Sequence, residues 1–121
     1  MALNLDISRT DDTVVVQCRG RIVFGEESDE FRHVILGLMK ETQRIVLNLA
    51  STDYLDSSGL GTLVASFISA RHRGAEIKLA APSPRARQLL TDMKVDRLFE
   101  IYDSSEEAIK SFHPQPEAAA G

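Results

Sequence analysis

Asp56-Ser57-Ser58-Gly59-Leu60-Gly61 places a carboxylate, two hydroxyls and two glycines where an apolar run gives way to an amphipathic one. Upstream, Arg44-Ile45-Val46-Leu47-Asn48-Leu49 is nearly unbroken in apolar character, as in a central strand covered on both faces. Downstream, Leu60, Leu63, Val64, Phe67 and Ile68 recur at the three-four spacing of one helical face. Ser57 or Ser58 therefore sits at or beside a helix N-cap, where free N–H groups and the positive end of the helix dipole point outward. Two uses of that junction stay open. The serines can simply cap the helix, or a phosphate can be placed there, stabilised by charge-assisted hydrogen bonds and opposed by the neighbouring Asp56. Gly59 and Gly61 read as permitting a tight turn and the close approach of another backbone.

Other chemistries find little support. His33 lies within a helical pattern, His72 near a helix end and His113 in a Pro-rich tail, and none has the i, i+4 partner of a helical metal site. The single cysteine, Cys18, can build neither an internal disulfide nor a zinc cluster and reads as a small buried side chain. Neither serine has the Gly-x-Ser-x-Gly setting of a nucleophile elbow, because Leu55 and Asp56 stand two residues before them. Gly59-Leu60-Gly61 lacks the third glycine of a dinucleotide loop, Val64 standing in its place. The expectation is a non-enzymatic chain with no metal and no cofactor.

The elements that must position the junction follow from periodicity. Leu3 to Ile7 and Thr13 to Arg19 read as an antiparallel hairpin about the turn Arg9-Thr10-Asp11-Asp12. Arg21 to Gly25 is a short strand or loop, and Glu26 to Glu41 a helix with Phe31, Val34, Ile35 and Leu38 on its buried face. The strand Ile45 to Leu49 and the helix from Ser58 to about His72 form a strand–helix unit that Arg73-Gly74 ends. Glu76 to Ala81 is the next strand, completing a right-handed crossover. Ser83 and Pro84 open a third helix that buries Ala86, Leu89, Leu90 and Met93. Leu98 to Tyr102 is a final strand, and a closing helix runs from Ser104 or Ser105 to about Phe112. The expected fold class is α/β, with a mixed sheet of about five strands and about four helices packed mainly on one face.

Read as a whole, the run Asp56 to Gly61 resembles the core motif of STAS domains, the anti-sigma factor antagonist (SpoIIAA-like) family. The resemblance extends over roughly residues 3 to 112. It takes in Cys18-Arg19-Gly20, Ile45 to Leu49, Gly74-Ala75-Glu76-Ile77-Lys78-Leu79 and Ser83-Pro84, in order and spacing. It implies the STAS fold and a phosphoacceptor at Ser57, the residue after the motif's aspartate, with Asp56, Ser58, Gly59 and Gly61 forming the phosphosite loop. It also implies a partner, an anti-sigma factor serine kinase of the histidine-kinase-like ATPase type, and a PP2C-type metal-dependent serine phosphatase that reverses the modification. The implied partner surface takes in Val23, Phe24, Gly25, Leu60 and Ser83. Many members carry an aspartate three residues after the glycine, whereas this chain has Gly20-Arg21-Ile22-Val23, so an apolar side chain stands there. A structural STAS subunit or adaptor of a stress-signalling or transport complex, with no phosphorylation cycle, is the alternative.

Composition agrees with that class. The 121 residues suit one domain spanning 1–112, with 113–121 a disordered tail containing two prolines and no large apolar side chain. Hydrophobic residues make up 43% and charged residues 26%, ordinary for a soluble globular chain. The net charge of −4 argues against a nucleic-acid backbone or an anionic membrane as a direct ligand. With no membrane-length apolar run and no signal-peptide start, the expected location is cytoplasmic, as a monomer or weak dimer.

Overall fold

Strands β1 (Leu3–Thr10) and β2 (Thr13–Ile22) form the expected hairpin, in a computed structural model that describes residues 3–112. The readings made for His113 and for the tail 113–121 lie outside the described residues. The hairpin turns through Asp11, whose φ of 55° is a left-handed conformation that aspartate tolerates. Then follow α1 (Glu26–Met39), β3 (Arg44–Asn48), β4 (Thr52–Leu55), α2 (Ser57–His72), β5 (Glu76–Ala80), α3 (Pro84–Asp92), β6 (Ile101–Tyr102) and α4 (Ser105–Ser111). The sheet order is β1-β2-β3-β5-β6, with β1 antiparallel to β2 and the other pairs parallel.

β4 was not foreseen. It pairs in parallel with the last residues of β2, through a register shift between Gly20 and Arg21. β3 pairs with the first half of β2, from Thr13 to Gln17, so β2 is flanked by β3 and then by β4 along its length. In Thr52-Asp53-Tyr54-Leu55 only the first and last residues are buried, which leaves no alternation for a sequence pattern to catch.

The apolar run of β3 faces two layers. Ile45 and Leu47 join Val14, Val16 and Cys18 of β2 and Ile77 and Leu79 of β5 in the main core, under Phe31 and Ile35 of α1, Leu63 and Phe67 of α2 and Leu90 of α3. Val46 points the other way, with Ala80, against Ala108 of α4. Three helices thus serve one face and α4 the other. Cys18 is fully buried, and burial pushes its thiol up to about 12, so it stays protonated as a small core side chain.

Lys78 of β5 alternates onto the α4 face and is 5% exposed. Its ammonium donates to Ser111 Oγ at 2.7 Å, pairs with Glu100 at 3.1 Å and lies 4.3 Å from the centre of the Phe112 ring. These partners offset the cost of burying the charge. The Tyr102 hydroxyl, and then Lys78, hold the Glu100 carboxyl below its ordinary range.

Ile68, read with the apolar face of α2, is 47% exposed, and helix ends account for further differences from the sequence reading. α2 closes as expected at Gly74, φ 78°, with Ala75 N–H bonded to Ala70 O at 2.8 Å and Gly74 N–H to Arg71 O at 3.1 Å, the paired bonds of a Schellman turn. α3 ends in the same way, with Val95 N–H to Leu90 O and Lys94 N–H to Thr91 O, both at 3.0 Å. This turn makes Met93 the C-cap and leaves it 49% exposed rather than on the buried face. The strand expected over Leu98 to Tyr102 shrinks to Ile101–Tyr102 because Phe99 turns into the core, its ring 5.0 Å from that of Phe67.

Lys94 holds a left-handed φ of 62° at a position where the same turn in α2 has glycine. Left-handed backbone costs a non-glycine residue about 1–2 kcal/mol, and glycine gives back part of that through its freer unfolded chain. Lys94→Gly is expected to raise stability by about 0.5–1 kcal/mol, read as a higher denaturation midpoint at an unchanged m-value.

Candidate functional site

Asp56 is the N-cap of α2. Its backbone is extended, at φ −101° and ψ 179°, and its Oδ1 accepts the Gly59 N–H at 2.7 Å. Its Oδ2 accepts the Phe24 N–H at 3.4 Å, and its own N–H donates to Ile22 O at 3.4 Å. One carboxylate therefore caps the helix and ties it to the loop after β2. The capping role that the sequence offered to either serine belongs to the aspartate, because aspartate reaches the N–H three residues on while its neighbours enter the helix.

Ser57 and Ser58 are the first helical residues and both are exposed. Their N–H groups fall in the first turn, which has no intrahelical acceptors, while the Gly59 N–H is already taken by Asp56. The Ser58 carbonyl accepts from Thr62 Oγ1 at 3.1 Å. The Ser57 hydroxyl thus projects from a fixed backbone into solvent, beside a carboxylate that is committed elsewhere.

The two glycines of the motif do different things. Gly59 is buried, and a Cβ built on it would stand 1.9 Å from Ile22 O and 2.7 Å from Ile22 C. Helix and strand backbone are in direct contact there, which only glycine allows. Gly61 is exposed with open space around its Cα, so the close approach expected of it is absent.

The remaining expected residues surround this junction in different states. Val23 is buried at 8% exposure and its carbonyl accepts from Ser28 Oγ at 2.7 Å. Phe24 is 80% exposed. Gly25, φ 105°, begins α1 without a side-chain cap. Leu60 is in the core at 2% exposure. Ser83 is half-buried; it accepts from Ala86 N–H at 3.2 Å as the cap of α3 and donates to Thr52 O at 3.1 Å, so it fixes α3 against β4. Of the expected partner surface, Phe24 faces solvent, while Val23 and Leu60 hold the site together from below.

The sequence reading missed Tyr54. This half-exposed side chain of β4 has the Arg21 guanidinium 5.9 Å and the Arg85 guanidinium 5.7 Å from its ring centre. The one signal was an aromatic three residues before Ser57 in a polar stretch, and that stretch showed no strand period.

His33 and His72 are exposed on α1 and α2, and among the described residues there is no group of three or more His, Cys, Asp or Glu side chains able to hold a metal ion. No helix among them is long and apolar enough to cross a membrane. A polar cavity of about 390 Å³, lined by Arg9, Asp12, Lys40, Glu41, Arg44 and Arg73, opens beside the first residues of β3 and the last of α1 and α2, the end of the fold away from Ser57.

The cap is testable without a partner. Asp56→Ala removes the acceptor of the Gly59 N–H and the tie to Phe24, and is expected to cost about 1 kcal/mol in a denaturant titration. Asp56→Asn, which keeps an acceptor oxygen, is expected to recover most of that loss.

Comparison with known proteins places this geometry. A STAS domain family model matches residues 4–108. A STAS-domain containing protein of Pseudomonas aeruginosa is 34% identical over 101 residues, covering 84% of this chain and 99% of that protein. The anti-sigma-B factor antagonist of Bacillus subtilis is 24% identical over 111 residues, covering 91% of this chain and all of its own, 100%. In fold, an anti-sigma factor antagonist from Mycobacterium paratuberculosis superposes with a TM-score of 0.81 at 19% identity, covering 91% of this chain and 93% of that one. A match across nearly the whole described chain, in sequence and in fold, means that this protein belongs to the STAS domain family.

Proposed function

We propose that this protein is an anti-sigma factor antagonist whose binding is switched by phosphorylation of Ser57. Unphosphorylated, it holds an anti-sigma factor that is itself a serine kinase of the histidine-kinase-like ATPase type. Phosphorylated, it lets that partner go, and a PP2C-type phosphatase resets it. The protein supplies the surface and the acceptor hydroxyl and no catalytic group.

The observation that carries this reading is the position of Ser57, an exposed hydroxyl on the first turn of α2 whose backbone is held by the Asp56 cap and by the Gly59 contact with Ile22. A kinase can reach such a hydroxyl without unfolding anything. The phosphate would add about −1.5 to −2 charges at pH 7 beside Asp56, inside whatever interface covers the turn. A relative named as an anti-sigma-B factor antagonist supports the partner class.

The test is phosphopeptide mapping of the protein after incubation with ATP and a candidate ATPase-type anti-sigma factor. Phosphate confined to Ser57 and absent from Ser57→Ala is the expected result. Phosphate on Ser58 instead, or none together with stable binding that ignores Ser57→Ala, would replace the switch with a structural adaptor role.

A further inference from the structure

We infer that the face beside Ser57 docks an acidic segment of the partner protein, gripped by Arg21 and Arg85 across Tyr54. The inference deepens the proposed function and rests on its view that this end of the molecule is the partner face.

The bulged pairing of β2 and β4 sets Arg21 opposite Tyr54. The Ser83 cap, bonded to Thr52 O, brings the first turn of α3 with Arg85 to the same ring. Both guanidiniums lie within 6 Å of the Tyr54 centre, the range of a cation–π contact. Among the described residues Arg9, Arg19, Arg32 and Arg44 are each paired with a carboxylate, whereas Arg21 and Arg85 have none; Arg71, Arg73, Arg87 and Arg97 also have none, but Arg21 and Arg85 are the two that share one ring. The nearby carboxylates do not neutralise them. Asp56 is occupied by the Gly59 and Phe24 N–H groups, Asp92 accepts from Gln88 Nε2 at 2.9 Å, and exposed Asp53 forms no ion pair with the described residues.

An acidic chain of net charge −4 therefore keeps two uncompensated guanidiniums stacked on one exposed ring, three residues from the proposed phosphosite. A guanidinium offers a planar fork of donors that matches a carboxylate in two-pronged fashion, and an aromatic ring beneath it limits the freedom it must give up on binding. The complementary surface is one or two carboxylates beside an apolar group that covers Phe24, itself 80% exposed. Long polyanions fit less well, because the rest of the surface would repel them. An acidic partner also sharpens the switch: a phosphate on Ser57 would face the partner's carboxylates as well as Asp56.

The probe is a capped hexaglutamate peptide titrated into the intact protein and followed by amide and arginine side-chain NMR shifts at low salt. Expected are shifts centred on Arg21, Tyr54 and Arg85, with Arg21→Gln/Arg85→Gln weakening binding about tenfold or more. Both side chains are exposed, and a dispersed spectrum of the double variant checks its fold. Shifts centred on Lys40 and Arg73, equal shifts with hexalysine, or equally tight binding of a DNA duplex would overturn the inference. The two readings separate cleanly. Peptide binding here with no phosphate ever found on Ser57 keeps the acidic dock and removes the switch; phosphate on Ser57 with no peptide binding does the reverse.

Discussion

Gly59→Ala is expected to cost about 3 kcal/mol or more and to lower the denaturation midpoint steeply. The new methyl would stand 1.9 Å from Ile22 O and 2.7 Å from Ile22 C, with Leu55 Cδ1 at 3.1 Å. The first two are backbone atoms at the end of β2, where that strand pairs with β4, so no side-chain rotation relieves the clash. The start of α2 must retreat instead. That movement loosens the Asp56 N–H bond to Ile22 O and the Asp56 tie to Phe24, and it drags Leu60, 2% exposed, out of the core. Overpacking ordinarily costs about 1–3 kcal/mol, and the loss of these contacts adds to it. Against a total stability of about 5–15 kcal/mol for a domain, that is a large share. Gly61→Ala is the control. It adds a methyl into open space within the same helix and is expected to stabilise by up to about 1 kcal/mol. Urea titration of both variants would show the midpoint falling in one and holding or rising in the other. Equal, small effects would mean that α2 does not press on β2 as described.

The second large effect concerns binding and leaves stability almost alone. Ser57→Asp is expected to weaken the proposed complex with an anti-sigma factor about a hundredfold, equivalent to about 3 kcal/mol, while the unfolding midpoint hardly moves. The stability side is a near balance. An acidic residue in the first turn gains about 0.3–1 kcal/mol from the helix dipole and loses a similar amount by repulsion from Asp56 next door. The binding side has no such balance. Once a partner covers the turn, two adjacent carboxylates lie in a drier environment, and Asp56 cannot turn away without releasing the Gly59 N–H. Ser57→Ala, which adds no charge, is expected to bind like the parent chain. Calorimetric titration of the three proteins against one partner measures the difference, and a Ser57→Asp affinity within a few-fold of the parent would show that charge at this turn does not gate the interface.

Much of this arrangement was legible in the sequence because the signals are local and strong. The unbroken run at β3 announced a strand covered on both faces, and Ile45 and Leu47 on one side with Val46 on the other bear that out. Gly74 and Pro84 marked one helix end and one helix start through backbone constraints that hold in any fold. What stayed hidden depends on partners distant in the chain. β4 is a strand only because the end of β2 offers it hydrogen bonds, and its own four residues carry no period. Gly59 and Gly61 look alike in sequence, and only the position of Ile22 makes one indispensable and the other replaceable. Asp56 won the cap over two serines because its carboxylate could serve the helix and the Phe24 N–H together. Lys94 gives no local warning that it will adopt a left-handed turn, since the terminus it closes is fixed by the packing of Leu90 and Val95.

The measurement that bears most directly on the proposed switch is the affinity of one preparation of this protein for the proposed anti-sigma factor partner before and after stoichiometric phosphorylation, with the site verified by mass spectrometry. The account predicts tight binding before, loss of about two orders of magnitude after, and full recovery once a PP2C-type phosphatase removes the group. An affinity unchanged by phosphate on Ser57 would contradict it.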